Sequence, residues 1–225
     1  MKYKVEPVLP ADETETLQVL TLALVNDPGI VYFSPDAAKR VKHTLRMIQG
    51  MSGLLNAFGQ KYLIRDKGKI VGSAMWVPPG KSINNWRLMK AGFFLIPFIT
   101  GLSVFKRIMK FLDIATLLQE KNMKNQKHWH LVYLGVHPAN QRRGLGKTLL
   151  SGILHESDKT QIPVFVQVFT SMAEKFLLKN GFQVVSRTRF SEHCIMNCMV
   201  RYPKPAKTMK KITKKKKPVA KKKKK

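Results

Sequence analysis

Apolar residues recur along this chain at two spacings. Leu17, Leu20 and Leu24 follow one another at three and four residues, with Asp12 and Glu13 just ahead of them. That spacing predicts a helix opening near Ala11 with acids in its first turn. Pro35-Asp36 opens a second helical stretch that carries Val41, Leu45 and Ile48. Tyr3–Val8, Tyr62–Ile64, Ile70–Val71, Val164–Val168, Gln183–Phe190 and Cys194–Tyr202 read instead as strands. Asp66-Lys67-Gly68-Lys69 lies between two of them as a hairpin turn, and Pro78-Pro79-Gly80 ends the hairpin. From Gly144 the helical period returns, with Leu145, Leu149, Leu150, Ile153 and Leu154 set to pack on a sheet. Strands interleaved with helices in this way predict a mixed α/β layer with helices on both faces.

Lys81–Lys127 separates the hairpin from the next strand and reads as a helical insertion. Its oddest part, Ala91–Phe105, contains no charge, with Lys90 before it and Lys106-Arg107 after it. Fifteen residues fall short of the ~20 that a membrane span needs, and Pro97 and Gly101 weaken a helix. The expectation is a buried helical hairpin. Shallow contact with a membrane surface, helped by the basic flanks, is the second reading.

The strongest chemical signal is Leu134-Gly135-Val136-His137-Pro138-Ala139-Asn140-Gln141-Arg142-Arg143-Gly144-Leu145-Gly146-Lys147. It reads as a buried strand, a loop of small and basic residues, and a helix start. A helix start presents backbone N–H groups without internal partners, and the helix dipole adds partial positive charge there. Gly144 and Gly146 let an anion approach the backbone, and Arg142, Arg143 and Lys147 surround the same point with full charges. The arrangement suits a pyrophosphate. It is neither Gly-x-Gly-x-x-Gly nor a Walker loop, so a dinucleotide or nucleoside triphosphate fits poorly.

Gln-x-x-Gly-x-Gly after Val-x-Pro on a strand resembles the coenzyme A loop of GNAT-superfamily N-acetyltransferases. His128–Tyr133, leading into the loop, resembles that family's central strand. Val164–Val168 is similar to its next strand, and Ala173–Phe182, ending in Gly-Phe, to its late helix. Asp27-Pro28-Gly29, Phe33-Ser34-Pro35-Asp36 and Ile70–Gly80 are similar to puromycin N-acetyltransferase-like members. The resemblance covers roughly Tyr3–Tyr202. It implies a mixed, mostly antiparallel sheet of about seven strands with helices on both faces. Residues 1–203 would form the domain, with Lys81–Lys127 as a wall of the acceptor site.

The implied reaction moves an acetyl group from acetyl-CoA to an amine held in the same complex. The acceptor would be a small amine, or a lysine or N-terminal amine of a protein. On the resemblance, Gln141, Arg142, Arg143, Gly144, Leu145, Gly146 and Lys147 grip the pyrophosphate, and the backbone of Leu134, Gly135 and Val136 pairs with pantetheine. The chain departs from the family at the late helix. Leu177 stands where the family places a proton-donating tyrosine, and Thr170 stands where an asparagine is often found. Thr170 or Ser171 can still hydrogen-bond the cofactor. A thiolate of pKa about 8.5 does not strictly need an acid. Two readings therefore stay open, an active enzyme and a silent acyl-CoA-binding protein anchored to nucleic acid. His130 is the candidate base and Tyr133 a substitute acid; Glu192, His193 and His137 are weaker candidates.

Charge adds a partner class. The net charge is +28, and thirteen of the 41 basic residues are lysines in Lys204–Lys225, a stretch without an acid. The rest of the chain still carries +15, so it attracts anions. The tail buries almost nothing and repels itself, which predicts disorder and binding to nucleic acid or another polyanion. Such clusters also target the nucleus or nucleolus in a eukaryote; otherwise the expected place is the cytoplasm. Cys194 and Cys198, the only cysteines, suffice for neither a disulfide framework nor a four-ligand zinc site. On one strand they share a face about 13 Å apart, as core thiols. No signal peptide is visible in the polar N-terminus.

Overall fold

The computed structural model describes residues 3–83, 87–88 and 95–205. The lysine-rich tail beyond Pro205 and Ala91–Phe94 of the apolar insertion lie outside the described residues. Seven strands form one sheet: β1 (Val5–Pro7), β2 (Gln60–Asp66), β3 (Lys69–Val77), β4 (Trp129–Val136), β5 (Val164–Val168), β6 (Gln183–Ser191) and β7 (Cys194–Arg201). Their order across the sheet is β1-β2-β3-β4-β5-β7-β6, and only β4 and β5 run parallel. The parallel pair needs a crossover, and the helix after Gly144 supplies it. Lys67 and Gly68, both at positive φ, make the β2–β3 turn.

The helices are α1 (Glu13–Leu24), α2 (Pro28–Phe33), α3 (Ala37–Leu55), α4 (Ile96–Thr100), α5 (Leu102–Met123), α6 (Leu145–Thr160) and α7 (Ser171–Leu178). On one face of the sheet Leu17, Leu20, Ile48, Met51 and Ile108 of α1, α3 and α5 pack with Met75 and Val77. On the other, Leu145, Leu149, Leu150 and Ile153 of α6 pack with Trp76, Trp129, Leu131 and Val164. Each buried Leu or Ile removes roughly 1.5–3 kcal/mol worth of apolar surface from water. Cys194 and Cys198 are buried free thiols on β7, as their spacing implies.

Three expectations need correction. Val41 is exposed, because α3 turns a stripe of His43, Thr44, Ile48, Met51 and Ser52 inward instead. His43 and Thr44 are tolerated there because Ser34 Oγ lies 2.9 Å from His43 Nδ1 and Thr44 Oγ1 donates to Arg40 O. Second, the described part of the apolar insertion is not a buried hairpin. Leu95, Phe98, Ile99 and Leu102 are exposed, and after them the first buried residue is Ile108. Third, hydrogen bonds hold the chain beyond residue 203. Lys204 N donates to Asp158 Oδ1 at 2.8 Å and Lys204 O accepts from Gln161 at 2.9 Å.

Candidate active site

The site is made by two irregularities in the sheet. Trp76 pairs with Leu131 but Met75 pairs with Tyr133, so Val132 is an extra residue that bulges β4. A one-residue insertion flips every side chain beyond it to the other face. Trp129, Leu131, Leu134 and Val136 therefore share the α6 face, whereas Val132 and Tyr133 pack on the α1–α3 side. His130 thus does not share a face with Leu134 and Val136, which plain alternation would have given it. The second irregularity is a parting of strands. β4 and β5 pair only at Trp129–Val164, His130–Phe165 and Leu131–Val166. Beyond these pairs β4 continues to Val136 and β5 to Val168 without pairing, and a cavity of about 860 Å³ opens between them.

At one end of the cavity lies the loop. Gly144 caps α6 at φ 82°, a left-handed conformation that costs an L side chain about 1–2 kcal/mol. No side chain caps this helix start, so the first amides of α6 keep their hydrogen-bonding capacity for a ligand. Gln141, Arg142, Gly144, Leu145, Gly146 and Lys147 all line the cavity. The Gln141 amide braces the loop by donating to Val136 O at 3.1 Å. A side chain on Gly146 would stand 3.2 Å from the Phe176 ring, so this glycine lets α7 pack against α6.

Three named residues are placed otherwise than the motif reading implied. Arg143 is absent from the cavity wall; Asp66 holds it at 2.9 Å and Tyr3 Oη accepts from it at 2.6 Å. Gly135 is absent from the wall too. A Cβ there would meet Leu20 and Ala23 at 2.8 and 2.9 Å, so its smallness serves the packing of α1 on β4. Thr170 caps α7, its hydroxyl accepting from Ala173 N at 3.1 Å, while Ser171 lines the cavity in its place. Leu177 is 2% exposed, and it both lines the cavity and packs in the core.

The middle of the cavity is walled by Val132, Tyr133, Leu134 and Val136 on one side and Gln167, Val168 and Phe169 on the other. Burial lifts the Tyr133 phenol well above its ordinary pKa, so it stays protonated. Burial has the opposite effect on His130. It favours the neutral ring and lowers the pKa to about 3, with nearby His128 adding to the shift. The His130 ring meets Phe165 edge-on with centroids 5.4 Å apart.

The far end is apolar apart from one acid. Asp27 lines the same cavity as the apolar Ile30, Phe33, Met47, Met51, Ile83, Ile108 and Phe111. Asp27 accepts from Gly29 N at 2.9 Å as the N-cap of α2. Burial raises its carboxyl to about 6, and the Gly29 bond only partly offsets that. Sequence reasoning missed Asp27 as a site residue. Its signal was a lone acid inside Leu24–Val31, an otherwise uncharged stretch, but an Asp before Pro is accounted for by capping alone. Among the described residues no group of three His, Cys, Asp or Glu side chains stands ready to hold a metal.

Residues 114–202 match the family model of the acetyltransferase (GNAT) domain. That stretch, from α5 through β7, is similar to the GNAT acetyltransferase domain. An uncharacterized N-acetyltransferase of Schizosaccharomyces pombe is 23% identical over 202 residues, 85% of this chain and 80% of that protein. Arylalkylamine N-acetyltransferase 2 from Aedes aegypti shares the fold at 13% identity and a TM-score of 0.62, over 90% of this chain and 99% of its own. The PaiA N-acetyltransferase of Thermoplasma acidophilum, solved with coenzyme A, superposes with a TM-score of 0.54 at 14% identity, over 90% and 99%. GNAT acetyltransferases use acetyl-CoA. The likeness to puromycin N-acetyltransferases gains no support from these comparisons.

Proposed function

We propose that this chain is an acetyl-CoA-dependent N-acetyltransferase acting on a small primary amine with an apolar body. One observation carries the reading. A single cavity joins the anion-binding start of α6, the open edge of β4 and the Asp27 carboxylate in its apolar pocket. Gln141, Arg142, Gly144, Leu145, Gly146 and Lys147 would hold the pyrophosphate, and the backbone of Leu134–Val136 the pantetheine arm. Bound acetyl-CoA supplies a thioester, whose C–S bond breaks as the amine nitrogen bonds to the acetyl carbon.

This chain's own groups then manage the protons. Asp27 receives the substrate as an ammonium and takes the proton that must leave before nitrogen attacks. The apolar walls that raise Asp27 also lower the ammonium, bringing the two closer in basicity. His130, held neutral by burial with a pKa of about 3, is the poorer base. Tyr133 keeps its proton and offers the leaving sulfur a hydrogen bond in the place of the tyrosine that Leu177 replaces.

The acceptor class follows from the far end. One carboxylate in an apolar pocket matches one ammonium; a polyamine would leave a second charge unpaired among Phe33, Met51 and Ile108, which is costly. The test is thiol release from acetyl-CoA with tryptamine, phenethylamine, spermidine and a histone-tail peptide. Turnover with the first two and little with the last two is expected. No turnover with any amine, while coenzyme A still raises the melting temperature, would leave only a binding protein. From sequence alone, we further infer that Lys204–Lys225 directs the chain to the nucleus of a eukaryotic host or to polyanions. Relocation of a fluorescent fusion when the tail lysines are changed to glutamine tests that.

A further inference from the structure

The corner between α4 and α5 exposes large apolar side chains that nothing in the acetyl-transfer site uses. Phe98 is 86% exposed, Leu102 60%, Leu95 48% and Ile99 38%. Each isolated exposed apolar residue is ordinary, but four at positions 95, 98, 99 and 102 form a patch. Directly after the patch come Lys106, Arg107 and Lys110, all exposed. Along the sequence the flanking charge is of one sign: between residues 67 and 112 there are eight basic residues and no acid. Among the described residues no helix is long and apolar enough to cross a membrane.

We propose that the α4–α5 corner docks on an anionic membrane surface. Phe98, Leu102 and their neighbours enter the boundary between headgroups and acyl chains, and Lys106, Arg107 and Lys110 meet the headgroup phosphates. Lysine and arginine stems are long enough to lie along the apolar boundary while their charges reach the phosphates. The same facts weigh against the rival occupants. Two copies meeting at this corner would bring two uncompensated positive fields together. A nucleic acid offers phosphates to the lysines but no apolar interior for Leu95, Ile99 and Leu102. α5 continues from the corner into the acceptor end of the cavity at Ile108, Phe111 and Leu112. Docking there would set the amine entrance against the lipid surface.

The test uses the full chain with Phe98→Trp as the probe, read as a difference from the parent protein's fluorescence. Vesicles of phosphatidylcholine with phosphatidylglycerol should shift its emission to the blue, and brominated lipids should quench it. Phe98→Asp/Leu102→Asp should lower the vesicle partition coefficient by about tenfold or more, since each large side chain contributes that order. This variant should keep the parent melting temperature. High salt should remove binding held by the tail alone and leave a part of the binding of the parent protein. Three results would overturn the proposal: pelleting with vesicles without any shift of the Phe98→Trp emission, no binding to the phosphatidylglycerol-containing vesicles, or a dimer in solution that Phe98→Asp dissociates. None of these outcomes depends on acetyl transfer.

Discussion

The Arg143 guanidinium stands 2.9 Å from the Asp66 carboxylate, and its second nitrogen donates to the Tyr3 hydroxyl at 2.6 Å. Its carbon also lies over the Tyr3 ring, 5.7 Å from the centroid. The middle cation of Gln-Arg-Arg-Gly is thus committed to fastening the loop to the β2–β3 hairpin and the start of the chain. Arg142, at φ 62°, is the member of the pair that lines the cavity. Arg142→Ala is expected to weaken coenzyme A binding about tenfold, as befits a charge-assisted bond to phosphate. Arg143→Ala should leave the affinity within about twofold and lower the melting temperature slightly. Calorimetric titration of both variants checks this, and a larger loss for Arg143→Ala would refute it.

Gly144, which caps α6, and Gly152 within it should respond in opposite directions to the same substitution. Gly144 has open space around its Cβ position but sits at φ 82°, so Gly144→Ala costs only backbone strain, about 1–2 kcal/mol. Gly152 also has open space but lies within the helix, where alanine gains roughly 0.5–1 kcal/mol. Urea unfolding should show Gly144→Ala destabilised and Gly152→Ala stabilised. Only Gly144→Ala should also lose coenzyme A affinity.

Asp27 sets function against stability. Its carboxyl titrates at about 6 when folded and near 3.8 when exposed. As pH rises from 3.8 towards 6 the unfolded chain gives up a proton that the folded chain keeps, so this group costs stability progressively through that window and by a constant amount above 6. Asp27→Asn removes the buried charge and retains a capping side chain. Above pH 6 it should therefore stabilise the fold by up to about 3 kcal/mol, the full pKa difference taken at 1.36 kcal/mol per unit. Amine acetylation should fall by about 10²-fold or more, the usual scale for losing a general base. An unstable variant or an active one would count against the assignment.

The sequence made the frame of the site legible because each part has a local signature. The Lys67-Gly68 turn, the leucines of α6 and Gly144 before them all report backbone geometry through neighbours in the chain. The departures come from long-range relations. Gly135 is small because α1 crosses it, and Arg143 is turned away by Asp66, seventy-seven positions upstream. The β4 bulge at Val132 shows only in the register with β3, so strand alternation by itself does not report the face that His130 takes. Asp27 becomes a site residue only when α2, α3 and α5 close an apolar pocket around it. The exposure of Phe98 likewise has no local signature, since an uncharged run reads the same whether it packs inward or faces out.

His130 offers the clearest way to separate a structural histidine from a catalytic one. Folded, it titrates at about 3, against an ordinary 6.5. Between those values the unfolded chain binds a proton that the folded chain refuses, so stability is lost as pH falls below 6.5. His128 and His43, both lowered chiefly by burial, act in the same direction, while Asp27 opposes them. His130→Phe removes one of the three destabilising titrations and keeps a flat ring against Phe165. Melting temperature measured from pH 7.5 down to 4.5 should fall less steeply for the variant than for the parent. At pH 7.5, where His130 is already neutral, acetylation should stay within about threefold of the parent, since no proton passes through the ring. If kcat instead collapses while the acid limb of the stability curve is unchanged, His130 is the base and Asp27 is only the cap of α2.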